Sequence, residues 1–249
     1  MSELANKVLV VIGGTSGLGL SAAKAFVAEG AKVVIVGRDA GKVAAAEREL
    51  GGAVLGVVAD AGEPQTAPAA IATAMHKFGA FHGLYHVAGG SGRRKGDGPL
   101  HELTDEGWAY TLNENLTSLF YSNRAAVQQF LKQGTGGSVL NMGSVLGFSP
   151  SPRHFATHAY ATTKAAIIGL TKSAAACYAS VNIRFNVLAP ALVATPMSQR
   201  AQGDDEVMRF IQTKQPLDGG RIGRSEDLDA AAVYFLSDDS RFATGQVLA

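Results

Sequence analysis

Apolar positions along this chain fall into short unbroken runs rich in β-branched residues, each closed by glycine or a polar turn and followed by a longer alanine-rich stretch of helical spacing. Runs at Lys7–Ile12, Lys32–Val36, Ala53–Val58, Gly83–Val87, Ser138–Met142 and Asn182–Leu188 predict six strands. Helices are predicted at 18–29, 40–50, 64–78, 104–132, 158–179, 204–213 and 226–236. Regular strand–helix alternation implies a doubly wound parallel sheet of six to seven strands with helices on both faces. Uniformly apolar strands fit a sheet covered on both sides. No linker, repeat or low-complexity tract interrupts the pattern, so 1–249 is expected to form one domain.

Composition narrows the class. Of 249 residues, 47% are hydrophobic and 17% charged, with net charge +1, which suits a globular domain and leaves no basic excess for nucleic acid or anionic lipid. Mean hydropathy is only slightly positive at +0.11. Cys177 is the only cysteine, so no intramolecular disulfide or thiolate zinc cage can form, and a reducing, cytoplasmic home is expected. The run Val8–Ile12 is too short for a signal peptide core or a membrane span, and no targeting segment is read.

In an open parallel sheet, ligands bind beyond the carboxyl ends of the strands. The first strand runs into Gly13, Gly14, Thr15, Ser16, Gly17, Leu18 and Gly19 and then a helix. Glycines there permit a tight turn and let backbone N–H groups approach a pyrophosphate at a helix N-terminus, the arrangement of a dinucleotide site. The second strand ends at Gly37, Arg38 and Asp39. A guanidinium can grip a 2′-phosphate bidentately, which favours NADP(H) over NAD(H); a solvated Arg38, with Asp39 binding the ribose, is the alternative.

Tyr160 and Lys164 are four residues apart on one predicted helical face. An ammonium beside a phenol, helped by a cofactor's positive ring, is expected to lower the tyrosine pKa and fit it to exchange a proton with a substrate oxygen. Ser144, just past the fifth strand, is placed to donate to a developing oxyanion, or simply to cap a turn. Asn115 stands inside an otherwise apolar helical run, where an amide needs partners.

Taken together, the glycine loop, Asp60 after the third strand, Ala88 and Gly89 after the fourth, Asn115, Ser144, Tyr160 with Lys164, and Pro190 to Thr195 make the chain resemble the classical short-chain dehydrogenase/reductase family from Lys7 onward. The resemblance implies a Rossmann-type fold and hydride transfer between a nicotinamide cofactor and a secondary alcohol or ketone. It implies Tyr160 as acid/base, Ser144 as oxygen orienter, Lys164 on the nicotinamide ribose, and Asn115 holding a relay water. Asp60 would meet the adenine amine and Val193 and Thr195 would hold the nicotinamide carboxamide, with Ala61 and Pro190 also among the cofactor-binding residues. It also implies a homotetramer or homodimer packed through the helices at 104–132 and 158–179.

Departures from the family pattern are Ile12 before the first glycine, His86 and Val87 in place of two asparagines, and Ala191 in place of a glycine. The Ser144 to Tyr160 interval is about three residues longer than usual. The sequence reaches Ala249 where members normally continue through an Asp-Gly-Gly tail, so either that tail is missing or edge packing and subunit contacts differ.

Residues 197–224 are expected to form a substrate lid, and their mixed character favours neither a purely greasy nor a sugar-like ligand. A silent cofactor-sensing protein of the same fold is the second reading; epimerisation or dehydration is the third, disfavoured by the short lid. His82 and His86 on a strand are too far apart for one metal ion. His154 and His158 have no neighbouring acid and read as pocket wall, so no metal is expected. Arg93, Arg94 and Lys95 lie at the ligand edge and either attract an anion or are solvated. Cys177, among alanines, reads as closely packed.

Overall fold

The computed structural model describes residues 3–249. Seven parallel strands, β1 (Val8–Ile12), β2 (Lys32–Gly37), β3 (Val54–Val58), β4 (Gly83–His86), β5 (Gly137–Met142), β6 (Ile183–Leu188) and β7 (Val247–Leu248), form one sheet in the order β3-β2-β1-β4-β5-β6-β7. The helices are α1 (Gly17–Ala28), α2 (Ala40–Leu50), α3 (Thr66–Phe78), α4 (Asp105–Leu112), α5 (Ser118–Gln133), α6 (His158–Tyr178), α7 (Gln199–Gln202), α8 (Asp205–Lys214) and α9 (Asp229–Leu236). The doubly wound α/β class read from the pattern is the one observed. The two-residue β7, paired with Val187 and Leu188, escaped the sequence reading because it is too short to carry a period.

Alternation along β1 explains why the strands had to be apolar throughout. Leu9 and Val11 point into one core with Phe26 of α1 and Phe235 of α9, while Val8, Val10 and Ile12 point into the other with Ile71 of α3 and Phe130 of α5. The chain leaves β1 toward β2 on one side and returns on the other side as β4. Between β1 and β4 lies the reversal of strand order, the crevice where such sheets take ligands.

The single helix expected over 104–132 contains a five-residue π-turn, Asn113–Thr117, between α4 and α5, with helical backbone angles at both junctions. One extra residue in a turn is a common device at functional sites. Below it, Asn141 of β5 exchanges hydrogen bonds with Asn123 of α5 (2.9 Å each way) and donates to Thr171 of α6 (3.0 Å), tying both helices to the sheet.

Candidate active site

At the crevice the glycine loop is built to leave room. Gly13 sits at φ +91° and a Cβ there would come within 2.7 Å of the Ala88 nitrogen; a Cβ on Gly19 would overlap the Gly13 carbonyl oxygen. Main-chain bonds from Gly13 and Gly14 to Val36 (3.0 Å each) and from Ala88 to Ile12 (2.8 Å) fix the loop across the strand reversal. Helix α1 starts with Ser16 giving no side-chain cap and with no acid in its first turn, so its N–H groups and partial positive charge stay open to an anion. Across the cleft, Gly17 faces Thr195, whose Cγ2 would lie 3.5 Å from a Cβ on the glycine. An uncapped helix end over a glycine cradle fits a dinucleotide pyrophosphate.

Thr15 leans over Gly37, where a Cβ would meet its Oγ1 at 2.5 Å. Next to it, Arg38 is shared by two acids, its Nη1 lying 3.4 Å from the Glu114 carboxylate and 3.6 Å from that of Asp60. Asp60 also accepts from the Gly62 N–H at 2.8 Å. Asp39 accepts from the Lys42 N–H at 3.0 Å and caps α2. Val193 and Thr195 are held by Ser198, which donates to the Val193 carbonyl (2.6 Å) and accepts from the Thr195 N–H (3.0 Å). The segment after Pro190 is thus stapled to the residues just before α7.

The four expected catalytic residues meet at the ends of β4 and β5. Ser144 is buried, accepts from the Leu146 N–H at 3.2 Å and is hydrogen-bonded to Tyr160. The Lys164 ammonium is buried, donates to the Met142 carbonyl at 2.9 Å, and lies 5.3 Å from the centre of the Tyr160 ring. Burial lowers its pKa to about 8. Tyr160 departs from expectation. Desolvation pushes its phenol up to about 12, and the opposing contribution comes from hydrogen bonding to Ser144, not from the lysine. A lysine that is itself poorly solvated and tied to a carbonyl does not acidify the phenol unaided.

Asn115, in the π-turn, uses both amide hydrogens on the Gly90 and Thr111 carbonyls (2.9 Å each), and its oxygen accepts from the Gly90 N–H at 3.2 Å. Its side chain clamps the loop after β4, with Gly89 close against it: a Cβ there would lie 2.7 Å from the amide oxygen and 3.8 Å from the Lys164 nitrogen. His86 is buried at the foot of the cluster against Ser122 (2.8 Å) and Ser118 (3.5 Å), with its pKa lowered to about 3 by burial and by Lys164.

Sequence reasoning missed Asp97. This buried carboxylate, in the glycine-rich loop after β4, accepts from the N–H groups of Ala159 and Tyr160 at 3.0 Å each and caps α6 at the end that carries Tyr160. A lone acid among glycines reads as an ordinary turn, and nothing local announces its distant partners. His82 accepts from the Val8 N–H at 2.9 Å, a structural role. No cluster suited to a metal ion occurs among the described residues. Cys177 is exposed, contrary to the close packing expected: α6 packs through Ile167, Thr171 and Ala175, and Cys177 lies off that stripe. No helix among the described residues is long and apolar enough to cross a membrane.

Comparison with known proteins agrees with this geometry. A protein family described as Enoyl-(Acyl carrier protein) reductase matches residues 13–249. The chain is 35% identical to an NADP-dependent (R)-specific alcohol dehydrogenase of Lentilactobacillus kefiri, over 98% of this chain and 94% of that protein. It is 34% identical to 2-(S)-hydroxypropyl-CoM dehydrogenase 3 of Xanthobacter autotrophicus, over 100% of this chain and 96% of that one. A solved short-chain type dehydrogenase/reductase from Mycobacterium ulcerans superposes with a TM-score of 0.90 at 31% identity, covering 98% of this chain and 88% of the other.

Proposed function

The chain belongs to the short-chain dehydrogenase/reductase family, as an NAD(P)-dependent oxidoreductase acting on hydroxyl groups, and we propose that Tyr160 is its proton-handling residue. The substrate is a secondary alcohol or the corresponding ketone, and the cofactor is NADP(H) in preference to NAD(H). The observation that carries this reading is the convergence of Ser144, Tyr160 and Lys164 beside Gly89, at the strand reversal where the glycine cradle opens. When bound, the dinucleotide supplies or takes up the hydride and, in its oxidised form, brings a positive ring.

Each residue then has a definite task. Ser144, its acceptor side engaged by Leu146, donates to the substrate oxygen and fixes it in line with Tyr160. Tyr160, protonated at rest, gives its proton to that oxygen during reduction; alcohol oxidation runs the same transfer in reverse, so the phenol first releases its proton to solvent and the resulting phenolate takes the alcohol's. Lys164, anchored on Met142, binds the nicotinamide ribose and compensates the phenolate as it forms. Asn115 holds the floor of the ring pocket by gripping Gly90, and its amide oxygen, which accepts one hydrogen bond there, keeps a second lone pair for a relay water.

The cofactor cradle extends from Gly13, Thr15, Ser16, Gly17, Leu18 and Gly19 to Arg38, to Asp60 with Ala61 beside it, to Ala88 and Gly89, and to Pro190, Val193 and Thr195. Residues 197–224 close over the substrate, with Val207 and Ile211 of α8 packed on Phe155. A shallow apolar hollow between α5 and α6, lined by Phe120, Leu131, Leu170 and Tyr178, supports association of copies into a dimer or tetramer in the cytoplasm. The decisive experiment follows nicotinamide absorbance while a panel of ketones and alcohols is offered with NADPH or NADH. Turnover of secondary carbonyls is expected; absence of affinity for either dinucleotide would overturn the reading.

A further inference from the structure

Two guanidinium groups from separate elements converge on one main-chain oxygen in the segment between Ser144 and Tyr160. Arg93, in the loop after β4, has its Nη2 3.5 Å from the main-chain oxygen of His154, and Arg200, in α7 of the lid, has its Nη2 3.2 Å from the same atom. Neither forms an ion pair with a carboxylate among the described residues, although other cations nearby do: Arg153 is paired with Glu206 at 2.5 Å and Lys95 with Glu106 at 3.0 Å. The buried acid of the same loop, Asp97, is committed to the N–H groups of Ala159 and Tyr160.

Holding two like charges against one neutral carbonyl is unfavourable unless an anion joins them, and a half-buried Arg93 feels the cost. Its pKa is lowered by desolvation and then by the charge of Arg200, and raised in part by the nearby Asp97, whose carboxylate is already engaged by the Ala159 and Tyr160 N–H groups. Each guanidinium has five N–H donors, so most remain free for a ligand. Their position relates them to the chemistry. His154 lies in the segment joining Ser144 to Tyr160 and packs at a tilt against Phe210 of the lid, ring centres 4.7 Å apart and planes at 44°, while the loop bearing Arg93 also caps the helix that carries Tyr160.

Building on the redox reading above, we infer that Arg93 and Arg200 form an oxyanion-binding subsite, and that the substrate is a short secondary alcohol or ketone bearing a carboxylate or sulfonate at its far end. The two groups share the chemistry that matters, a compact negative head with several acceptor oxygens that a pair of forked donors grips together.

The test compares 4-oxopentanoate with its methyl ester, and 3-oxobutane-1-sulfonate as the sulfonate probe, in NADPH-dependent reduction. The acids are expected to exceed the ester by about tenfold in kcat/KM at low salt, with the advantage shrinking as sodium chloride is raised. Arg93→Gln and Arg200→Gln should each lower the acid-to-ester ratio by about tenfold, whereas Arg94→Gln, at the exposed neighbour, should leave the ratio in place. Calorimetric binding of the same probes to protein saturated with NADP+ reads the same ratio if none is turned over. Equal handling of acid and ester, or a ratio unmoved by both variants, overturns the subsite while leaving the redox reading intact. Failure to bind a dinucleotide would instead strike at the redox reading.

Discussion

The guanidinium of Arg38 is held 3.4 Å from the carboxylate of Glu114, a side chain only 12% exposed. In the absence of a 2′-phosphate the arginine therefore has a resident partner, and an incoming phosphate must displace it. Arg38→Ala is expected to weaken NADPH by about 2 kcal/mol, roughly thirtyfold in Kd, with NADH changed by less than about threefold. Glu114→Gln removes the nearer of the two competing carboxylates and should tighten NADPH by about 1 kcal/mol, roughly fivefold. Fluorescence titration with both dinucleotides checks this; equal effects on the two would show that Arg38 does not read the 2′ position.

Tyr160→Phe deletes one oxygen from a pocket otherwise unchanged. Its kcat should fall by about a thousandfold, within the usual range for losing a positioned acid, while the Kd for the dinucleotide stays within about threefold. Retention of near-normal turnover would remove Tyr160 from the mechanism.

The buried Lys164 makes a pH prediction with a definite sign. The unfolded chain keeps this proton up to about 10.5 and the folded protein releases it near 8, so between those values the unfolded state binds more protons and stability rises with pH. Below pH 8 the folded state bears the full cost of the buried charge. Relative to Lys164→Met, the wild-type protein should gain about 2 kcal/mol between pH 7 and pH 9.5. Urea unfolding at fixed protein concentration measures the difference; parallel pH curves would refute it.

Asp97→Ala strips the cap from the reactive end of α6. A loss of about 2 kcal/mol in stability is expected, as for the stronger helix caps, together with a fall in kcat larger than any change in dinucleotide affinity. Asp97→Asn, which keeps an acceptor oxygen, should recover part of both. An unaffected kcat in the alanine variant would confine Asp97 to folding.

Much of this was legible in the chain because it rests on spacing. The β1 run followed by Gly13, Gly17 and Gly19 gives both the strand and the cradle, and the four-residue step from Tyr160 to Lys164 gives the shared face. What escaped depends on distance through space or on local dielectric. Helical periodicity over 104–132 looks the same with or without the extra residue of the π-turn at Asn113–Thr117. The alanines around Cys177 say nothing about which way α6 is rolled, and the pairing of Asp97 with Tyr160 spans 63 positions. The Tyr160–Lys164 step gives proximity but not solvation, and solvation decides the direction in which the phenol shifts.

The π-turn has a consequence for how this protein can change. A helix with one surplus residue in its middle is locally out of phase, and the phase error is what brings the Asn115 amide onto Gly90 while Glu114 reaches Arg38. Shortening the rod by that residue would restore regular hydrogen bonding but swing both side chains about 100° around the axis. Robustness and activity therefore pull in opposite directions at this turn, and a lineage selected for rigidity alone would be free to erase it.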